Sequence, residues 1–331
     1  MADYLYGSAN VRALENAIIG RERVARLLET KTVQECYALL GEWGVRIERD
    51  AQSGAIKRED TLLGILRDAY VRVTELVPDS ASLALWRYPY DCNNLKAAIK
   101  CFARRIDPRP MLFDFGSVDA ETVVQMVENG TYDALPTHMR VAAGETVAEF
   151  AKIKNPQVVD LMLDRACYAD MLEGAKKSKN EFVLRLVLTK LDLTNVMILL
   201  RILRMKSGEA GKALLAEALL EGGKLSKDVL VEWFDRGETY LLSQLRTTAY
   251  GAYADAFLQS GGTLTDAERL ADNALMEIVR ETKFIPIGEE VMVSFLLAHE
   301  YEVRNLRILL SGKEAGVSTA IIRERIRESY V

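Results

Sequence analysis

Apolar residues recur at helical spacing through nearly the whole sequence, and glycine, proline and short polar residues punctuate them. Tyr4, Val11, Leu14, Ala17 and Ile18 share one face of a helix over 4–18 that Gly20 ends. Thr32 and Glu35 form a capping box ahead of a helix over 33–40, which Gly41 and Gly44 stop. A long helix is predicted over 56–77, ended by Pro78, and Asp79 and Ser80 offer caps for a short one reaching Trp86. Ser117 and Asp119 offer caps for a helix ending at Asn129-Gly130, and Pro136 to Lys152 reads as another. Asn155-Pro156 reads as an N-cap with proline at the first helical position. Helices follow over 181–206, after Ser226, over 267–279, over 289–310 with Gly312 as its end, and over 319–327 behind Ser318. No segment alternates convincingly as a strand does. The pattern predicts an all-α fold.

One unit recurs within this pattern. Asp91-x-x-Asn94-Leu95 returns as Asp192-x-x-Asn195-Val196 and as Glu302-x-x-Asn305-Leu306. The apolar positions behind each asparagine match: Leu95, Ala98, Ile99 and Phe102; then Val196, Leu199, Leu200 and Leu203; then Leu306, Leu309 and Leu310, where Lys313 breaks the series. A carboxylate and an amide three residues apart lie side by side on a helix surface. The repeat is far longer than that of a solenoid. It predicts three similar helical subdomains, over 1–110, 111–211 and 212–331, with boundaries at the Asp107-Pro108-Arg109-Pro110 stretch and near Gly208 and Gly211.

Composition narrows the class. With 49% hydrophobic and 27% charged residues, the chain has the material for a full core. A net charge of −5 provides no global basic footprint for nucleic acid. The longest uncharged apolar runs, such as 291–298, are too short to span a bilayer, and the opening residues carry no signal peptide, so a protein of the cytosol, or of the cytosolic side of a membrane, is expected. None of the four cysteines, Cys36, Cys92, Cys101 and Cys167, forms a CxxC pair, and all are read as reduced core residues.

The search for chemistry finds no active site. Neither His138 nor His299 has an acid at metal-ligand spacing, so no metal is expected. Gly222-Gly223-Lys224 lacks the early glycine and the Ser/Thr of a phosphate loop and reads as a helix–helix turn. No catalytic or cofactor-binding residue is assigned, and no cofactor. Asp91, Asn94, Asp192, Asn195, Glu302 and Asn305 are expected to be structural, making helix-to-helix polar contacts whose buried groups must be paired. Positive charge gathers towards the ends of the motif helices: Lys100, Arg104 and Arg105; Arg201, Arg204 and Lys206; Arg307 and Lys313. Such residues suit the helix macrodipole, and they would also make one pole of the molecule basic.

Four stretches in register resemble the C subunit of V-type and archaeal-type ATPases, the AC39 or d-subunit family. They are Tyr4-Leu5-Tyr6-Gly7 with Val11 to Glu15, Tyr90 to Lys96, Leu191 to Asn195, and Ile285-Pro286-Ile287-Gly288 followed by Glu300 to Leu309 and Gly312-Lys313. Cys92 stands where an aromatic residue is expected, and Val196 where isoleucine is. The resemblance covers the whole chain. It implies a funnel of three helical subdomains about a pseudo-threefold axis. It also implies a non-catalytic rotor component, peripheral on the cytoplasmic face of a membrane, that couples central-stalk subunits of D/F type to the membrane proteolipid ring for ion transport. The basic helix ends would then face the ring. The competing reading is a helical scaffold of another assembly, separated from the first by the opening Tyr-Gly segment and the Pro-x-Gly turn; an enzyme with an unrecognised helical site is a third.

Overall fold

A computed structural model describes residues 4–77, 81–205 and 208–331. Among them the regular structure is helical throughout; the only extended pairing is an isolated antiparallel bridge between Arg49 and Ile56. The all-α expectation holds. The proposed cap at Asp79 and Ser80 lies outside the described residues, as does Lys206.

The chain divides into two compact units, residues 1–80 with 268–331 and residues 81–267. In the first, α1 (Tyr4–Leu14), α2 (Arg21–Glu29), α3 (Val33–Glu42) and α4 (Arg58–Leu76) come from the N-terminal part. The second holds α5 (Ala81–Leu85), α6 (Tyr88–Ala103), α7 (Ala120–Asn129), α8 (Thr137–Ile153), α9 (Pro156–Ser178) and α10 (Glu181–Met205). It continues with α11 (Gly208–Ala218), α12 (Lys227–Asp235), α13 (Glu238–Arg246) and α14 (Gly251–Gln259). α15 (Thr265–Glu281), α16 (Glu289–Glu314) and α17 (Thr319–Arg325) return to the first unit. The expected boundaries at 110 and 211 both fall within the second unit.

The cap chemistry read from the sequence is present at several starts. Thr32 accepts from the amide of Glu35, whose carboxylate reaches back to the amide of Lys31. Asp119 accepts from Glu121 and Thr122, and Asn155 from Gln157. Ser226 makes no such side-chain bond. Gly208, at φ 69°, is the first residue of α11, and Gly211 lies within that helix without breaking it.

α16 is the core of the first unit. It packs on α1, α2, α3, α4 and α17, and an apolar residue is buried on nearly every side of its first two turns. It runs past Gly312 to Glu314, because Gly312 is where Ile322 of α17 comes close: a β-carbon there would stand 2.7 Å from the Ile322 side chain. α17 stops at Arg325, and residues 326–331 leave as a non-helical tail along the same unit. Arg327 pairs with Asp272, the Glu328 amide donates to Asn273, Tyr330 meets Glu15, and the Arg21 amide donates to the Val331 carbonyl.

In the second unit the central helix is α9, packed against α5, α6, α8, α10 and α11. α6 and α10 both run antiparallel to it. Lys96 and Lys100 of α6 pair with Asp164 and Asp160, and Tyr168 shares a hydrogen bond with Thr194 of α10. The C-terminal ends of α6 and α10 therefore lie at the end of the unit where α9 begins and the α8–α9 turn sits.

Candidate functional site

The three acid–amide pairs sit on α6, α10 and α16, and all six side chains are buried. Each asparagine does the same thing. Asn94 Nδ2 donates to the carbonyl of Phe113 while the Phe113 amide donates to Asn94 Oδ1, both at 2.8 Å. Asn195 makes the same two bonds with Leu220, at 2.9 and 2.8 Å. Asn305 makes them with Arg327, at 3.0 and 2.8 Å. A carboxamide carries one donor and one acceptor side by side, as a peptide edge does. The side chain thus imitates one rung of a β-ladder and holds a returning, non-helical segment against its helix.

The acids bind the main chain as well, with different partners. Asp91 Oδ1 accepts from the Val118 amide at 3.0 Å, and Oδ2 from the Ser117 amide at 3.1 Å and from the Ser117 hydroxyl. Asp192 accepts from the Leu225 amide at 3.3 Å and from the Tyr250 hydroxyl at 2.7 Å. Glu302 Oε1 accepts from the Ile19 amide at 2.8 Å, and Oε2 meets His299 Nδ1 at 2.5 Å. The partners are main chain and side chains of connecting segments as well as helices. A helix-to-helix contact was the sequence expectation, and the geometry differs because the motif helices need something to hold their returning loops.

Glycine marks two of these seats. A β-carbon on Gly116 would collide with Asp91 Oδ1, and one on Gly223 with Asp192 Oδ1. Gly223 thus has a packing reason beyond the turn read from the sequence, and Ser117 is a ligand of Asp91 where a helix cap was expected. Sequence reasoning missed Gly116, Tyr250, Ile19 and His299. Glycines 25 residues beyond Asp91 and 31 beyond Asp192 were the available signal.

Burial raises the Asp91 carboxyl to about 6, and the donors on Ser117 and Val118, then Arg87, oppose it. The Tyr250 hydroxyl is pushed above the usual tyrosine range by burial first and then by its bond to Asp192.

The basic residues divide. Lys100 pairs with Asp160, Arg307 with Glu59, and Lys313 donates to the carbonyls of Leu28 and Thr30 at the end of α2. Arg104, Arg105, Arg201 and Arg204 are exposed at the α9-start end of the second unit. Between α9, α10 and α11 an open groove of about 500 Å³ runs from Tyr168 and Thr194 to Gln157, Arg201 and Met205.

Tertiary packing brings acids to a histidine that has none nearby in sequence: His138, Asp170 and Glu173 converge. Asp170 accepts both the His138 and Met139 amides at 2.8 Å and so caps α8, while Glu173 takes His138 Nε2 at 2.9 Å and also Lys177. The group is a cap with an attached ion pair. The four cysteines are free and buried.

Residues 8–325 match the family described as ATP synthase (C/AC39) subunit. The chain is similar to the C subunit of the A-type ATP synthase of Thermococcus gammatolerans, 24% identical over 98% of this chain and 90% of the relative. It is 24% identical to the A-type ATP synthase C subunit of Haloferax volcanii, over 97% of this chain and 96% of that one. The V-type sodium ATPase C subunit of Enterococcus hirae is 27% identical, with 97% of each chain covered. Among the described residues no helix is long and apolar enough to cross a membrane.

Proposed function

We propose that this chain, which belongs to the ATP synthase (C/AC39) subunit family, is a non-catalytic coupling component of a V/A-type rotary ATPase. It joins central-stalk subunits of D/F type to the membrane proteolipid ring on the cytoplasmic face. The observation that carries the reading is the match along almost the whole chain, with relatives of nearly the same length that are named as the C subunit of such complexes. The clasps support it in kind. A torque-transmitting part needs helices that do not slide, and the buried acid and amide of each motif helix hold the chain's own segments. Their recurrence supports three related subdomains, over 1–110, 111–211 and 212–331, arranged as a pseudo-threefold funnel.

The test is assembly and coupling. A tagged copy purified from solubilised membranes should bring down the nucleotide-binding head, the stalk and the ring. A complex rebuilt without the chain should still hydrolyse ATP in its head but lose ATP-driven ion transport. The isolated chain should bind no ATP. Recovery without ATPase subunits, or ion transport unaffected by omission, would overturn the reading.

A further inference from the structure

The end of the second unit where α9 begins has a composition that no other feature of the fold explains. Three helices, α6, α8 and α10, finish there. Arg104, Arg105, Lys154 and Arg204 are exposed on it and make no ion pair among the described residues. The acids nearby are already engaged: Asp160 with Lys100, Glu149 with Lys152, Asp107 with Arg109, while Glu209 lies beside Lys212. Arg105 and Lys154 occupy left-handed backbone positions, at φ 56° and 57°, where glycine is the usual choice after a helix.

Helix dipoles account for cations at helix ends. Lys179 ends α9 in the same backbone conformation at the opposite end, so neither the charge nor the backbone is distinctive alone. What the dipole does not account for is the aliphatic side chains among the cations. Ile106 is 48% exposed, Ile153 51% and Met205 66%. Each stands within one or two residues of an exposed cation, and the apolar groove along α9 and α10 reaches the same end at Met205.

We infer that this end of the second unit lies on an anionic phospholipid surface, with Arg104, Arg105, Lys154 and Arg204 among the headgroups and Ile106, Ile153 and Met205 entering the acyl boundary. Cations interleaved with protruding aliphatic residues are the combination that anionic bilayers attract, each kind of contact being weak alone. In a chain whose net charge is −5, the local excess of positive charge also orients it: the rest of the surface is repelled by the same membrane. The inference rests on the coupling reading for its cellular setting and deepens it by assigning the side that meets the bilayer.

Flotation of the full chain with protein-free vesicles tests it separately from assembly. Vesicles of phosphatidylcholine with about 30 mol% phosphatidylglycerol should bind the chain at low salt, and pure phosphatidylcholine should bind it at least about tenfold more weakly. Raising the salt to about 0.5 M should release most of it, a readout that needs no variant. Arg104→Glu with Arg105→Glu and Arg204→Glu should lower binding at least about tenfold. Ile106→Ser with Ile153→Ser and Met205→Ser should lower it less and leave the salt dependence in place. All these side chains are exposed, so both variants should melt as the parent does. Equal binding to neutral and anionic vesicles, or variants that bind as the parent does, would overturn the inference. So would no vesicle binding by a chain whose docking to the protein membrane sector needs the same arginines, which would make this end a protein contact. Failure here leaves the assembly experiment standing, and failure of assembly leaves the vesicle result standing.

Discussion

The clasp on α6 and the clasp on α16 use the same amide and different acids. Asn94 and Asn305 each take the two main-chain groups of one residue, 19 and 22 positions further on. Asp91 then holds the same loop a few residues later, at Ser117 and Val118, so the first clasp is local from end to end. Glu302 instead reaches Ile19, 283 positions away, and shares its other oxygen with His299. The extra methylene suits this longer task. The amide therefore does the repeated work of seating a returning segment, and the acid is free to be adapted. In the first unit it ties the entry of the chain to its last long helix.

The strongest way to break this comparison is to remove the amides. Asn94→Leu, Asn195→Leu and Asn305→Leu each strand a buried N–H and C=O, and each should lower stability on the order of 2–4 kcal/mol. Asn195 should be the most costly, because both bonds to Leu220 are fully buried. Thermal or urea melts of the three variants check this. A variant that melts as the parent does but fails to assemble would place that asparagine at a partner surface.

Replacing the acids separates local from long-range work. Asp91→Asn and Glu302→Gln should each cost about 1–3 kcal/mol. Their hydrogen-exchange footprints should differ. Loss of protection in Asp91→Asn should stay near residues 113–118, whereas in Glu302→Gln it should appear around Ile19 and α2. Identical footprints would remove the distinction between the two clasps.

How much of this was legible in the sequence follows from what each contact depends on. The helices were legible because burial imposes the 3.6-residue period on Leu95, Ala98 and Ile99, and on their counterparts at Val196, Leu199 and Leu200 and at Leu306, Leu309 and Leu310. The clasp residues were legible because a buried acid and amide repeat at fixed spacing on those helices. Their partners were not. The return from asparagine to seat takes 19, 25 and 22 residues, so no common offset points to Phe113, Leu220 and Arg327. These seats use main-chain groups, which leave no mark on residue identity. Only the glycines, which let the backbone close on Asp91 and Asp192, carried a trace. The end of α16 was misplaced for a related reason: Gly312 looks like a stop signal, but it makes room for Ile322.

A smaller effect sharpens the comparison through pH. In the fold Asp91 keeps its proton up to about 6, against an ordinary carboxyl near 3.8. Between those values the folded state binds more protons than the unfolded one, so this contribution is full below the lower value and is lost as pH rises through the upper one. The stability gap between the parent and Asp91→Asn should therefore narrow by roughly 1 kcal/mol on going from about pH 5 to about pH 7.5. Melts of both proteins at the two pH values measure it. A constant or widening gap would mean that the donors from Ser117 and Val118 outweigh burial.

The smallest expected effect concerns the residue at which the third copy departs from the apolar series. Lys313 stands at the offset held by Phe102 and Leu203, and its ammonium donates to the carbonyls of Leu28 and Thr30. Those carbonyls close α2, where a helix has acceptors without partners of its own and a negative dipole end. The cation thus satisfies the end of a neighbouring helix, where the other two copies carry Phe102 and Leu203. Lys313→Met keeps the stem and deletes the charge. It should lower stability by about 1 kcal/mol, raise amide exchange in the last turn of α2 and leave vesicle binding unchanged. Lys313→Met with parental melting and weakened membrane attachment would show instead that this lysine serves a partner, and the basic ends of all three copies would have to be treated alike.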